Sequence, residues 1–205
     1  CDINKPCLNV ILTGNRNWIR LKESHLLLLW NCIPLKFIDS LLAGRLSPLE
    51  DIIDIIQEKA TTYLLAELLP VVDIVLDCTD NFKTRQLINS ECVRNQVPLV
   101  SGSALRFDGQ VSVFGPRTGA SPCYACIFSP EEEFEEVSCS SMGIFSPLVG
   151  IIGTIQAAQT LQIIIGFGES LVGRMLLWNA RTTQIDQIKI ARNPDCPVCG
   201  KKHSN

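Results

Sequence analysis

Two Cys-x-x-Cys pairs lie far apart in this 205-residue chain: Cys123 and Cys126 in C-Y-A-C, and Cys196 and Cys199 in C-P-V-C-G. Each short turn brings two sulfurs within reach of one metal, and four thiolates suit a tetrahedral Zn²⁺ site. Roughly seventy residues separate the pairs, so such an ion would clip a late segment back onto the middle of the chain. Gly200 follows the second pair and suits the tight turn that aims backbone N–H groups at thiolates. Chance pairs of plain buried or free thiols, in a chain with ten cysteines, and a redox dithiol are the alternatives. A redox pair belongs where a strand enters a helix, and it needs no second pair.

Apolar residues make up 46% of the chain and charged ones 19%, the balance of a domain with a substantial core. A formal net charge of −3 gives no electrostatic case for nucleic acid or an anionic membrane as partner. Cys1, Cys7, Cys32, Cys78, Cys92 and Cys139 lie outside the pairs, and no signal peptide is readable, so a reducing cytoplasm is expected. The chain opens on Cys, as a fragment or processed chain would. Pro147–Phe167 approaches the length of a membrane span, but Gln156, Gln159, Thr160 and Gln162 collect mostly on one side. That is the pattern of a helix with one face buried, and no membrane partner is expected.

Residues 1–46 show no clean period. Ser47, Pro48 and Glu50 then read as N-cap, first helical position and capping box, with Leu49, Ile52, Ile53 and Ile56 on one face of a helix. A second helical piece spans Tyr63–Leu69 and stops at Pro70. Val71–Cys78 is a β-branched run suited to a strand covered on both faces. A helix at Arg85–Asn95 and a strand at Pro98–Ser101 complete a βαβ unit. Asp108-Gly109 marks a two-residue hairpin turn between Ala104–Phe107 and Gln110–Phe114. Glu131–Glu136 reads as a solvated acidic loop, Ser146-Pro147 opens the long helix, and Arg174–Asn179 and Gln184–Ile190 are two last strands. The fold class is α/β: a mostly parallel sheet flanked by helices, with later antiparallel strands and a zinc clip. Residues 1–60 form a poorly readable segment before the unit at 61–205.

Asp77-Cys78-Thr79-Asp80-Asn81 falls where a strand runs out and a helix begins, the edge at which open α/β sheets bind ligands. Asp77 and Asp80 there suit Mg²⁺ beside phosphates. Equally, Asp80 reads as the N-cap of the helix, with no chemistry at all. Cys139, in V-S-C-S-S-M-G, sits in a loop that permits a reactive thiol, but no Lys, Arg or His adjoins it to lower its pKa. His25 and His203 are the only histidines, so Ser-His-Asp and Cys-His mechanisms are not supported.

In order, D-I-V-L-D-C-T-D-N, P-L-V-S-G-S-A-L-R-F-D-G-Q-V-S-V-F, C-Y-A-C, S-P-L-V-G-I-I-G-T-I-Q-A and N-P-D-C-P-V-C-G closely resemble the MoeB/ThiF/HesA family. These are bacterial relatives of ubiquitin-activating enzymes, and the match runs from about residue 61 to residue 200. The resemblance implies a Rossmann-like fold and ATP-dependent adenylation of the C-terminal Gly-Gly carboxylate of a small ubiquitin-like sulfur-carrier protein. The wording of the motifs is nearer the molybdenum-cofactor branch than the thiazole branch. Carried over by motif, Asp80 is the acidic residue associated with Mg·ATP, with Asp77 beside it, and Cys123, Cys126, Cys196 and Cys199 are the zinc ligands. Cys139 falls where the thiazole branch has a sulfur-handling thiol. A homodimer is also implied.

The family opens with a strand and a G-x-G-G-x-G loop whose N–H groups hold ATP phosphates at a helix N-terminus. Before residue 100 this chain has only Gly14 and Gly44, and neither lies in such a loop. Three readings are therefore carried forward: an adenylyltransferase of the molybdenum-cofactor type, one of the thiazole type, and a non-catalytic zinc-bound remnant that only binds the carrier.

Overall fold

The computed structural model describes residues 10–13, 18–21, 53–56, 58–115, 121–131 and 143–200. Eight strands form one sheet in the order β3-β2-β1-β4-β5-β6-β7-β8. They are β1 (Val10–Thr13), β2 (Trp18–Leu21), β3 (Ile53–Ile56), β4 (Ile74–Asp77), β5 (Leu99–Leu105), β6 (Asp108–Phe114), β7 (Arg174–Asn179) and β8 (Gln184–Lys189). The helices are α1 (Thr62–Leu68), α2 (Phe82–Arg94), the single turn α3 (Tyr124–Ile127) and α4 (Ser146–Ile165). The α/β class, the flanking helices, the later antiparallel strands and the four-cysteine clip are all present. Parallel pairing is confined to the centre, β1–β4 and β4–β5. The five outer pairings are antiparallel.

Alternation along the central strands divides the core in two. On one face Val75, Leu99 and Phe114 pack with Leu64, Leu65 and Leu68 of α1 and Ile88 and Cys92 of α2. On the other, Ile74, Leu76, Val100, Val111 and Val113 receive Leu148 and Ile152 of α4. Leu65, Ile88 and Leu148 are fully buried, and each contributes about 1.5–3 kcal/mol by leaving water.

Several expectations shift. Ile53–Ile56 is a strand paired antiparallel with β2, not the end of a helix from Ser47. Runs of β-branched residues favour extended backbone, which outweighs a helix-like spacing of isoleucines. Residues 47–52 lie outside the described set. The expected strand at Val71–Cys78 is trimmed to Ile74–Asp77, because Pro70 sits in a 3₁₀ turn, Leu69–Val71, that ends α1. The hairpin turn falls at Arg106-Phe107, since Leu105 pairs with Asp108 and Ala104 with Gly109. Arg106 takes a φ of +53° there. Gly109 is needed for packing instead. A Cβ on it would lie 2.6 Å from Ile152 Cδ1, so its bareness lets α4 approach the sheet.

The N-cap of α4 is Phe145, with Ser146 and Pro147 in its first turn, and Gly166 closes it at a φ of +73°. The helix is long and apolar enough to cross a membrane by length and composition, yet here it lies along the sheet with a mixed face inward, apolar at Leu148 and Ile152 and polar further on. Gln156, Gln159 and Thr160 are buried, while Ile165 is exposed. The strand β8 is one residue shorter than expected, and Ile185 and Ile188 on it are exposed.

Candidate functional site

The strand β4 ends at Asp77, which is 1% exposed. Its Oδ1 accepts from Thr79 N–H at 2.9 Å and from the Thr79 hydroxyl at 2.7 Å. Its Oδ2 lies 3.4 Å from both the Ser101 hydroxyl and Arg85 Nη1. Both oxygens are therefore engaged inside the protein. The Arg85 fork also donates to Ser101 Oγ at 3.1 Å, to the Gly102 carbonyl at 2.8 Å and to the Thr79 carbonyl. One guanidinium thus fastens the end of β4, the turn after it and the middle of β5 together, a use suited to its planar set of donors.

The turn continues through Asp80, which is exposed. The helix cap is Asn81, whose Oδ1 accepts from Thr84 N–H at 2.9 Å. The capping alternative for Asp80 is thereby removed, and its carboxylate stands at the carboxyl edge of a parallel strand. From the opposite face Gln156 reaches the same place, its Nε2 donating to the carbonyls of Asp77 at 2.9 Å and Val100 at 3.3 Å.

Beyond Arg85 a small open cleft, about 10 Å³ and so of water size, lies over β5 and β6, floored by Ser101, Ser103, Gln110 and Ser112 and walled by Tyr124 and Phe128. Tyr124 rests edge-on against Phe114, centroids 6.0 Å apart. Its phenol is pushed above the ordinary tyrosine range, chiefly by burial, while the neighbouring Arg85 guanidinium opposes the shift.

The C-Y-A-C segment that supplies Tyr124 also begins the cysteine cluster. Sulfur separations are 3.9 Å for Cys123–Cys126, 3.6 Å for Cys123–Cys196 and 3.4 Å for Cys126–Cys199. All four sulfurs lie within 4.8 Å of one another, the one such group of metal-ligating side chains among the described residues. A tetrahedron with Zn–S of about 2.3 Å has edges of about 3.8 Å, so the donor set fits zinc in number, type and spacing. Cys126 is held far below the usual thiol range, at about 4, first by the Cys123 thiol donating to it. Burial first of all pushes Cys199 up to about 11. Gly200 closes the second pair because a Cβ there would meet the Cys196 carbonyl at 2.5 Å.

The structure therefore brings Asp77 and Asp80 to one strand edge and the four cysteines to one point. Cys139 lies outside the described residues, as do His25 and His203. Arg85, Asn89, Tyr124 and Gln156 are the residues that reading the sequence passes over. Arg85 and Asn89 share a face of α2 with Ile88 and Cys92, all buried, and two polar residues on an apolar helix face were the signal available.

A model of the ThiF family matches residues 45–198. The chain is similar to the molybdopterin-synthase adenylyltransferase of Escherichia coli (strain K12), 40% identical over 137 residues, covering 67% of this chain and 54% of that protein. It is 40% identical over 146 residues to the sulfur carrier protein adenylyltransferase of Thermus thermophilus, covering 69% and 54%. The adenylyltransferase and sulfurtransferase MOCS3 of Caenorhabditis briggsae is 45% identical over 136 residues, covering 64% and 33%. The chain thus spans about half, or less, of the length of these relatives. Among solved structures, E. coli MccB with ATP superposes with a TM-score of 0.57 at 20% identity, covering 70% of this chain and 45% of that one, which shows a shared fold.

Proposed function

This chain belongs to the ThiF family, and on that premise we propose that it serves ATP-dependent adenylation of the C-terminal Gly-Gly carboxylate of a small sulfur-carrier protein. The carrier we favour is of the molybdopterin-synthase small-subunit type, after the name of the relative from Escherichia coli. In such a reaction a carboxylate oxygen of the carrier's last glycine attacks the α-phosphorus of ATP. The bond to the outer two phosphates breaks, pyrophosphate leaves, and an acyl-adenylate remains.

The observation that carries this reading is the exposed Asp80 at the carboxyl edge of β4, relieved of capping by Asn81. A carboxylate there suits a hard divalent cation such as Mg²⁺, whose contribution is to offset phosphate charge. Arg85 holds the turn that presents Asp80 by bonding the Thr79 carbonyl on one side and β5 on the other. The four cysteines hold a structural zinc, since four thiolates leave no position open for catalysis.

A second reading, a carrier-binding remnant without turnover, is favoured by the scarcity of glycine before residue 100, where Gly14 and Gly44 stand alone. Carrier-dependent exchange of pyrophosphate into ATP separates the two. We expect exchange with a Gly-Gly-ended carrier and a loss of at least about tenfold, roughly 1.4 kcal/mol of barrier, in Asp80→Asn. Carrier binding without exchange would leave the remnant. Exchange with only a thiazole-pathway carrier would move the chain to that branch.

A further inference from the structure

Asn89 lies one helical turn after Arg85 on α2 and is 1% exposed. Its amide is divided between two neighbours in C-Y-A-C. The Oδ1 accepts from Tyr124 N–H at 2.9 Å, and the Nδ2 donates to Cys123 Sγ at 3.7 Å. Those neighbours serve different places. The Cys123 sulfur belongs to the four-cysteine cluster, whereas the Tyr124 phenol lies against Arg85 and lines the serine-floored cleft. On the same helix, Gln86 fastens the far end of the same segment, donating to the Phe128 carbonyl at 2.6 Å.

We propose that Asn89 is a positioning residue that couples the four-cysteine cluster to the Asp77–Arg85 site. The inference rests on zinc occupying that cluster. An N–H bond to a metal-bound thiolate draws off part of the sulfur's charge and fixes its direction, which slows loss of the metal. The carbonyl half of the same amide fixes the backbone from which the Tyr124 ring projects. A sulfur that moves when the metal leaves pulls on Asn89, and through it on Tyr124 and the wall of the cleft. Leu, similar in size, removes both bonds. Asp keeps the acceptor for Tyr124 N–H, removes the donor, and sets a carboxylate beside a thiolate.

The test uses the whole chain labelled with ¹³C-tyrosine. It contains two tyrosines, and Tyr63, 82% exposed, serves as an internal reference for Tyr124. Zinc content, the rate of zinc release to a chromogenic chelator, and the two tyrosine resonances are recorded for the parent, Asn89→Asp and Asn89→Leu. We expect one zinc in the parent and release faster by at least about tenfold in both variants. The Tyr124 signal should stay in place in Asn89→Asp and move in Asn89→Leu. In the parent, with no substitution at all, stripping the zinc should shift Tyr124 and leave Tyr63 where it was. Zinc bound in the parent with Tyr124 unmoved by its removal, or release within about twofold of the parent in both variants, overturns the coupling alone. A fresh, reduced parent without zinc overturns the metal reading and this inference with it.

Discussion

Arg85 is 7% exposed, and its guanidinium faces Asp77, Ser101 and two backbone carbonyls within one small region. Removing one partner of a buried ion pair leaves the other charge uncompensated, at a cost of about 3–5 kcal/mol. Arg85→Leu should therefore lower unfolding stability by about that amount in urea titration. Arg85→Lys should fall between the two, because a single ammonium cannot serve several oxygens in a fixed fork. A loss below about 1 kcal/mol in Arg85→Leu would mean that Asp77 is satisfied by Thr79 and Ser101 alone. The Asp-Cys-Thr-Asp-Asn run was legible as a strand edge with two carboxylates, and the four cysteines as one cluster. What the run did not disclose was the division of labour: Asp77 turned inward, Asp80 outward, Asn81 at the cap. That division depends on Arg85 and Ser101, which come from other elements. Nothing local in the sequence links them to Asp77.

At the level of elements, α4 and the β5–β6 hairpin explain each other. Gly102 and Gly109 both face the helix, and a Cβ on either would overlap Gln156 or Ile152 respectively. The glycines let the helix lie close, and closeness lets Gln156 reach the carbonyls of Asp77 and Val100 where the parallel ladder ends. Gly109→Ala should cost about 1–3 kcal/mol by overpacking, read as a fall in the urea midpoint with an unchanged slope. An unchanged midpoint would show that Ile152 has room to turn aside. This pair of elements also shows where local patterns mislead. Asp108-Gly109 has the composition of a tight turn, and a hairpin is indeed there, but the glycine answers to a helix some forty residues later in the sequence. The register consequently sits two residues upstream of the dipeptide. Ile53–Ile56 failed for a similar reason, since its extended backbone is settled by pairing with β2.

Across the whole molecule, the clip joins α3 on one flank of the sheet to a segment that follows β8, and between them run α4, β7 and β8. Cys196→Ser should reduce zinc content and raise amide exchange across Gln184–Gly200 by at least about tenfold, or roughly 1.4 kcal/mol of local opening. Equal zinc content, or exchange unaltered in that segment, would show that β7–β8 pairing alone secures it. The spacing of the ligands also orders events in time. Cys123 and Cys126 leave the ribosome 73 residues ahead of their partners Cys196 and Cys199, a delay of roughly 4–15 s at ordinary rates of synthesis. During that interval the nascent chain offers half a coordination sphere. Completing a four-thiolate site would therefore wait for the last two strands, and a polypeptide cut short within them would lack half of the donors.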